Sequence, residues 1–410
     1  MISPSCPKSP RLTAGLLGWL IVTAPRFARA DDSITYKYET YDEADGRMSI
    51  KTEGALIEQD IGADMHLKVE GVIDGISGAS PTGLPFQPGN NKVDPVNDPA
   101  WATVLDHRKA WNAEFSRQFP GINIAVGFAN SRERDYASNG WSVNTVTDFN
   151  EKNTELLFGV AGTDDDVEEF YTPSPRVNLK KYTNDALIGV TQLIDPHTTV
   201  AFNLTWGREV GFLNDQHKIV PLIEILPGPT PIELIGSTGE NRPDQRNKWV
   251  FLAALNHSFS AVNGAVEASY RFYHDTFGSN ANTVQLTWIQ RLGEHFILQP
   301  DVRLYQQTAA NFYYYNLLDT PIAPTVYFGP NGQSPPTLVP NPKGPFFASD
   351  YRLSALQSIA YGLKAVFIVN SRLQFDIAVR KYEMRGTDGV TPQVAYPRAS
   401  IISTGVKLSW

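Results

Sequence analysis

From residue 34 onward the chain is written in short runs whose apolar residues fall at every second position, and no later stretch carries a convincing helical period. Val266, Ala268, Tyr270 and Phe272 alternate with Glu267, Ser269, Arg271 and Tyr273, and Leu373, Phe375, Ile377 and Val379 alternate with Arg372, Gln374, Asp376, Ala378 and Arg380. Ile122, Ile124, Val126 and Phe128 alternate in the same way with Asn123, Ala125, Gly127 and Ala129. Successive side chains on a strand point to opposite faces, so each run is a strand with one apolar and one polar or small face. A one-sided soluble sheet can carry this pattern as well as a membrane barrel can. The connections between the runs decide the matter.

Tight turns are expected at EQD (58–60), FPG (119–121), NEKN (150–153), DPHT (195–198), SAVNG (260–264), GEH (293–295) and VNSR (369–372). Between them lie longer polar or Pro/Gly-rich connections at 74–105, 163–181, 209–246, 307–349 and 384–397, with EADG and DTFGSN as two short members of that set. Alternating short and long connections are the pattern of outer-membrane β-barrels, with short periplasmic turns and long extracellular loops. Counting back from Trp410 gives an all-β, transmembrane antiparallel barrel of about sixteen strands, beginning with ITYKYETY, each run supplying the roughly 9 to 11 residues that cross the hydrocarbon layer. Ile402, Thr404, Val406, Leu408 and Trp410 form an amphipathic last strand ending on an aromatic residue, which resembles the signal by which barrel assembly machinery recognises its clients. Aromatic clusters in NFYYYN, NGWSV, KYTND and NKWVF fall near strand ends, where interfacial girdles are expected.

The one sustained apolar stretch, LTAGLLGWLIVTA, follows Lys8 and Arg11 and precedes Ala28 and Ala30. It is too short for a membrane span and reads as a secretory signal over residues 1–30, cleaved near Ala30, leaving residues 31–410 as the barrel and placing it in a Gram-negative outer membrane. The sole cysteine, Cys6, falls inside that signal, which excludes a disulfide scaffold and a cysteine zinc site in the exported chain. Removing the signal moves the formal charge from -8 to about -12, and an acidic exported chain with no basic block is a poor partner for nucleic acid.

The strings DGISGAS (74–80), SRERDY (131–136), EKNTEL (151–156), GFLNDQHK (211–218), NRPDQR (241–246), YRFYHDTFG (270–278), RLYQQTAANFY (303–313) and SDYRLSA (349–355) resemble, in that order, the bacterial domain of unknown function 3570 family. The resemblance covers nearly the whole chain after the signal and departs from the expected pattern at Gln216 and His217, where a Pro-aromatic pair is more usual. It implies an outer-membrane barrel without an assigned activity. Genes for flavin-attachment and thioredoxin-like proteins often neighbour such barrels, so the resemblance also implies an alternative, a non-conducting scaffold for periplasmic redox partners.

Charge on the lipid side of a strand costs about 2 to 4 kcal/mol for a basic residue at mid-depth, so the charged members of each run belong inside. The candidate pore-lining residues are therefore Glu267, Arg271, Asp275, Asp301, Arg303, Arg372, Asp376 and Arg380. They create either a transverse field for small hydrophilic solutes or an internal salt-bridge network that fills the barrel. IVPLIEILPGPTPIELIG, within 209–246, is either an inward constriction or an external loop packed on itself. The seven histidines are scattered without ligand spacing, His274 beside Asp275 reads as a girdle residue, and no nucleophile elbow or phosphate loop is present. No catalytic residue, metal or cofactor is expected, and the remaining enzymatic alternative is a barrel-embedded hydrolase assembled from residues on distant strands, since triads are defined by geometry. Strands that begin just after the signal leave no room for the plug of an energised receptor.

Overall fold

The computed structural model describes residues 32–410 apart from 83–85, 87–92, 95–97, 99, 170–175, 226–231, 316–325, 328–336 and 339–342. The expected secretory signal lies outside the described residues. Sixteen strands pair in chain order and close into an antiparallel barrel. They are β1 (Ser33–Glu43), β2 (Met48–Ile61), β3 (Met65–Pro81), β4 (Trp101–Phe119), β5 (Ile122–Arg132), β6 (Tyr136–Phe149), β7 (Thr154–Glu169) and β8 (Arg176–Asp195). The circuit continues through β9 (Thr198–Gly211), β10 (Gln245–Phe259), β11 (Gly264–Asp275), β12 (Asn280–Leu292), β13 (Phe296–Gln307), β14 (Leu356–Ile368), β15 (Leu373–Gly386) and β16 (Arg398–Ser409).

Closure is made by β16 lying against β1 in unbroken register, from Ser33 opposite Ser409 to Glu43 opposite Ala399. The Trp410 amide donates to the Asp32 carbonyl at 2.9 Å and extends the seam by one bond. Each of the sixteen strands therefore has a neighbour on both sides, which is the condition for a sheet to stand in lipid. Ile402 and Leu408 are exposed on the outer face, with Thr404 and Val406 on the same side by alternation.

The strands are longer than the hydrocarbon layer demands, from 11 residues in β5 to 20 in β8. The extra length lies at the end of the barrel with the long connections, the loop end. The expected connection at 163–181 is mostly strand, with only 170–175 left between β7 and β8. Its charges pair across the sheet, Lys180 meeting Asp164 at 3.2 Å and Asp166 at 2.7 Å, so polarity there does not mark a loop. The turn expected at EQD is also displaced: β2 runs through those residues and the chain reverses at 62–64. Gly62 there adopts a φ of 74°, a conformation that glycine enters without steric cost.

Apolar side chains such as Phe128, Ile188, Leu204 and Ile377 are exposed around the wall, as a lipid-facing surface requires. Trp141, Tyr182 and Trp249 are exposed outward, four to six residues inside the starts of β6, β8 and β10. NFYYYN differs: Phe312 is buried in a loop and packs edge-on against Phe277 at 4.8 Å. The Ile- and Pro-rich segment forms a hairpin of Ile219–Ile225 with Ile232–Gly239 rather than a strand of the barrel.

Candidate functional site

Tyr270 is exposed outward on β11, which turns Glu267, Arg271, Tyr273 and Asp275 into the barrel. The same alternation turns Asp301, Arg303 and Tyr305 of β13 inward opposite outward Leu304, and Asp376 and Arg380 of β15 inward opposite Phe375, Ile377 and Val379. Arg372 is not part of this wall. It stands in the turn before β15, where the Asn370 side-chain oxygen accepts from the amides of Arg372 at 2.8 Å and Leu373 at 3.0 Å and delays the start of the strand.

The luminal residues fall into two groups. Arg380 reaches Asp301 at 2.9 Å across β14, where the intervening position is Gly362. A Cβ at Gly362 would come within 2.7 Å of the Val379 carbonyl oxygen and 3.0 Å of the Arg380 Cβ, so glycine lets the pair lie flat against the wall. Gly207 has the same place between Asp185 and Lys248, whose charged atoms are 3.8 Å apart. Asp376 meets Lys364 at 3.6 Å. Asp275 is fully buried, held by Arg246 at 2.5 Å, the Tyr273 hydroxyl at 2.6 Å and the Ser279 amide at 3.1 Å, so it braces the loop end instead of facing an open path. His274, its neighbour, points to the other face and stacks on Trp249 at 5.7 Å.

Glu267, Arg271 and Arg303 form the second group and make no ion pair with any described residue. Register places Arg271 opposite Thr283 and Thr283 opposite Tyr305, so the two arginines stand one strand apart on the same inner wall.

Above them the loops fold into the mouth as a cap. Tyr351, Leu356, Ala395 and Tyr396 make a buried cluster that rests on the inward side chains of Tyr305 and Met384. Arg47, from the β1–β2 turn, donates to the carbonyls of Val394 at 2.7 Å and Ala395 at 3.1 Å. The cap's centre is ionic. Arg352 contacts Asp215 and pairs with Asp350 at 2.6 Å, and Arg242 pairs with Asp350 at 3.1 Å and Glu240 at 2.7 Å. Glu240 in turn accepts from the amides of Asp215 at 3.1 Å and Asp350 at 3.3 Å. Lys218 donates to the Pro81 carbonyl at 2.6 Å and lies over the Tyr351 ring at 5.6 Å. The Ile- and Pro-rich hairpin enters this assembly at its base, where Val220 is buried.

Burial opposes the charge on each of these groups, and their neighbours decide the outcome. Burial is outweighed at Asp350, whose carboxyl Arg352 and Arg242 hold well below its ordinary range, and at Asp215, which Arg352 holds down. It prevails at Lys218, whose ammonium is lowered, and at Glu240, pushed up to about 7 despite Arg242, because Asp350 and Asp215 repel a third negative charge.

Sequence reasoning missed Asp215, Lys218, Glu240, Arg242, Asp350 and Arg352. A signal was present: GFLNDQHK, NRPDQR and SDYRLSA each carry opposite charges beside a strand end at the same end of the barrel. Gln216 and His217, within GFLNDQHK, are both buried here. Nearby, one carboxylate oxygen each from Asp106, Glu133 and Asp135 gathers within 4.8 Å, and His217 Nε2 lies 3.6 Å from Asp135. Spacing along the chain gives no hint of that grouping.

Residues 21–395 match the family described as a protein of unknown function, DUF3570. The chain belongs to this family. No curated protein matches it in sequence. Among solved structures it is similar to CdiB from Acinetobacter baumannii, at 6% identity and a TM-score of 0.48, covering 93% of this chain and 60% of that one. It is also similar to the siderophore receptor PirA from Acinetobacter baumannii, at 9% identity and a TM-score of 0.41, covering 87% of this chain but only 53% of the receptor. A bacterial polysaccharide outer membrane secretin is similar at 8% identity and a TM-score of 0.45, over 92% of this chain and 98% of that one. These likenesses concern the barrel fold alone.

Proposed function

We propose that this DUF3570 member is an outer-membrane channel for small hydrophilic solutes whose extracellular mouth is shut in this conformation by the loop cap. The observation that carries the reading is the pair Arg271 and Arg303, turned into the lumen beneath the cap without a carboxylate partner among the described residues. An unpaired guanidinium in a dry interior is prohibitively costly, so this part of the lumen holds water. A sixteen-strand circumference leaves room for it. The cap itself favours a second reading, a closed scaffold for periplasmic redox proteins, because the buried ionic cluster ties the described loops to one another across the mouth.

Planar-bilayer recording on the purified protein separates the two. The channel is expected to conduct in intermittent openings that become more frequent from about pH 6 to about pH 8. The sign follows from Glu240: capped, its carboxyl titrates near 7, against 4.5 ordinarily, so the cap binds a proton that open loops release. Raising the pH from about 4.5 through about 7 therefore removes stability from the cap, while Asp215 and Asp350, shifted the other way, weaken it only on the acid side. Silence at every pH would leave the scaffold.

Membrane residence is a separate matter. Deleting Trp410 should reduce the amount of heat-modifiable barrel in the outer membrane and leave export across the inner membrane intact, because the seam loses its last bond and the strand its terminal aromatic. Wild-type membrane levels after the deletion would show that Trp410 has no part in assembly.

A further inference from the structure

The barrel wall has a step in it. β5 ends at Arg132, opposite Lys109, but β4 continues from Lys109 up to Trp101 with only β3 beside it. A groove of about 590 Å³ occupies the step on the outer side, with Leu105 and Trp111 along its length. Both side chains are exposed outward.

The outer face changes character at this height. On β4 the outward positions pass from Trp111 to Lys109, and on β5 from Phe128 through Asn130 to Arg132. Arg134 lines the same groove from the turn, and Lys51 lies on the same outer face one register row above Lys109, opposite Gly75 and, through it, His107. None of Lys51, Lys109, Arg132 and Arg134 makes an ion pair or side-chain hydrogen bond with a described residue. Two carboxylates, Asp106 and Glu133, also line the groove, where they gather with buried Asp135, and Glu53, the outward carboxylate in the Lys109 row, accepts from the Tyr36 hydroxyl at 3.3 Å.

An apolar slot beside unpartnered cations, just beyond the aromatic girdle, is complementary to an amphiphile with acyl chains below and phosphate groups above. We propose that this groove binds a phosphorylated glycolipid of the outer leaflet, its phosphates held by Lys109 and Arg132 and supported by Arg134 and Lys51, with an acyl chain descending past Trp111 and Phe128. The proposal rests on the outer-membrane reading above but not on whether the lumen conducts.

Purified protein in detergent would be titrated with bisphosphorylated lipid A. The double variant Lys109→Gln/Arg132→Gln is expected to bind about tenfold more weakly at low salt, with the difference shrinking at high salt. Lys381→Gln, on β15 and away from the groove, should bind as the wild type does. Equal binding by the double variant overturns the proposal. So does equal affinity for lipid A stripped of both phosphates, which would make the groove merely greasy, or displacement by inorganic phosphate at matching concentration, which would make it a free-anion site. Heat-dependent migration of each preparation reports separately whether the barrel has folded, so a failure of the membrane reading is not mistaken for a failure of the lipid site.

Discussion

Replacing Arg352 with glutamine should open the mouth of the barrel. Arg352 neutralises Asp215 and Asp350 together, and both carboxylates are buried among loops that have no strand ladder to hold them in place. Removing one member of a buried ionic group costs about 3 to 5 kcal/mol, because the partners keep their desolvation penalty and lose their attraction. That cost falls on the capped state alone, since uncapped loops expose the two aspartates to water. With about 1.4 kcal/mol per factor of ten, the open population should rise by about a hundredfold or more. The readout is open probability in a bilayer, with heat-dependent migration as the control for an intact barrel; the barrel strands do not depend on this residue. Asp350→Asn tests the same latch from the other side and should open it less, since Arg352 keeps Asp215. A correctly folded R352Q protein with wild-type open probability would mean that the loops are not the gate.

The second large effect concerns ions that have passed the cap. Arg271 and Arg303 are cations beneath it that pair with no described residue, and Arg380 is neutralised by Asp301. Changing Arg271 and Arg303 to glutamine together should shift selectivity toward cations, measured as reversal potential in a salt gradient. The shift should be larger in dilute salt, because mobile ions screen the field over about 10 Å at 0.1 M. Changing Arg380 and Asp301 together removes no net charge and should shift selectivity much less. Unchanged selectivity in the Arg271/Arg303 variant would take both residues off the permeation path. Combining that variant with R352Q removes the objection that a closed cap hides the result.

The barrel was legible in the sequence because membrane strands obey a simple rule at every step, one face apolar and one face polar, with turns short at one end. The phase assigned to Tyr270, Phe375 and Ile377 fixes the inward direction of Arg271, Asp376 and Arg380 in the structure. Residue-level contacts were not legible. Asp275 and Arg271 stand on one strand and one face, yet Asp275 is sealed by Arg246 from β10 and Arg271 has no such partner. Alternation reports the face of a residue, and the identity of its neighbour depends on register between strands and on loops far away in the chain. The cap is the extreme case. Its ionic centre draws on residues 215, 240, 242, 350 and 352, brought together by loop folding that leaves no periodic trace.

The seam between β1 and β16 also constrains the order of events in time. Each of the other strands can pair with the neighbour that precedes it along the chain, so the sheet can grow as the chain is delivered. β1 has to wait for the last strand to arrive before its second row of backbone groups is satisfied. Throughout that interval its free edge is a template for any passing strand, including one from another copy, and long-range pairing of this kind is intrinsically slow. A cell that makes this protein must therefore guard residues 33–43 for the whole of its synthesis and transit, and a chain truncated anywhere before β16 would keep that edge exposed indefinitely.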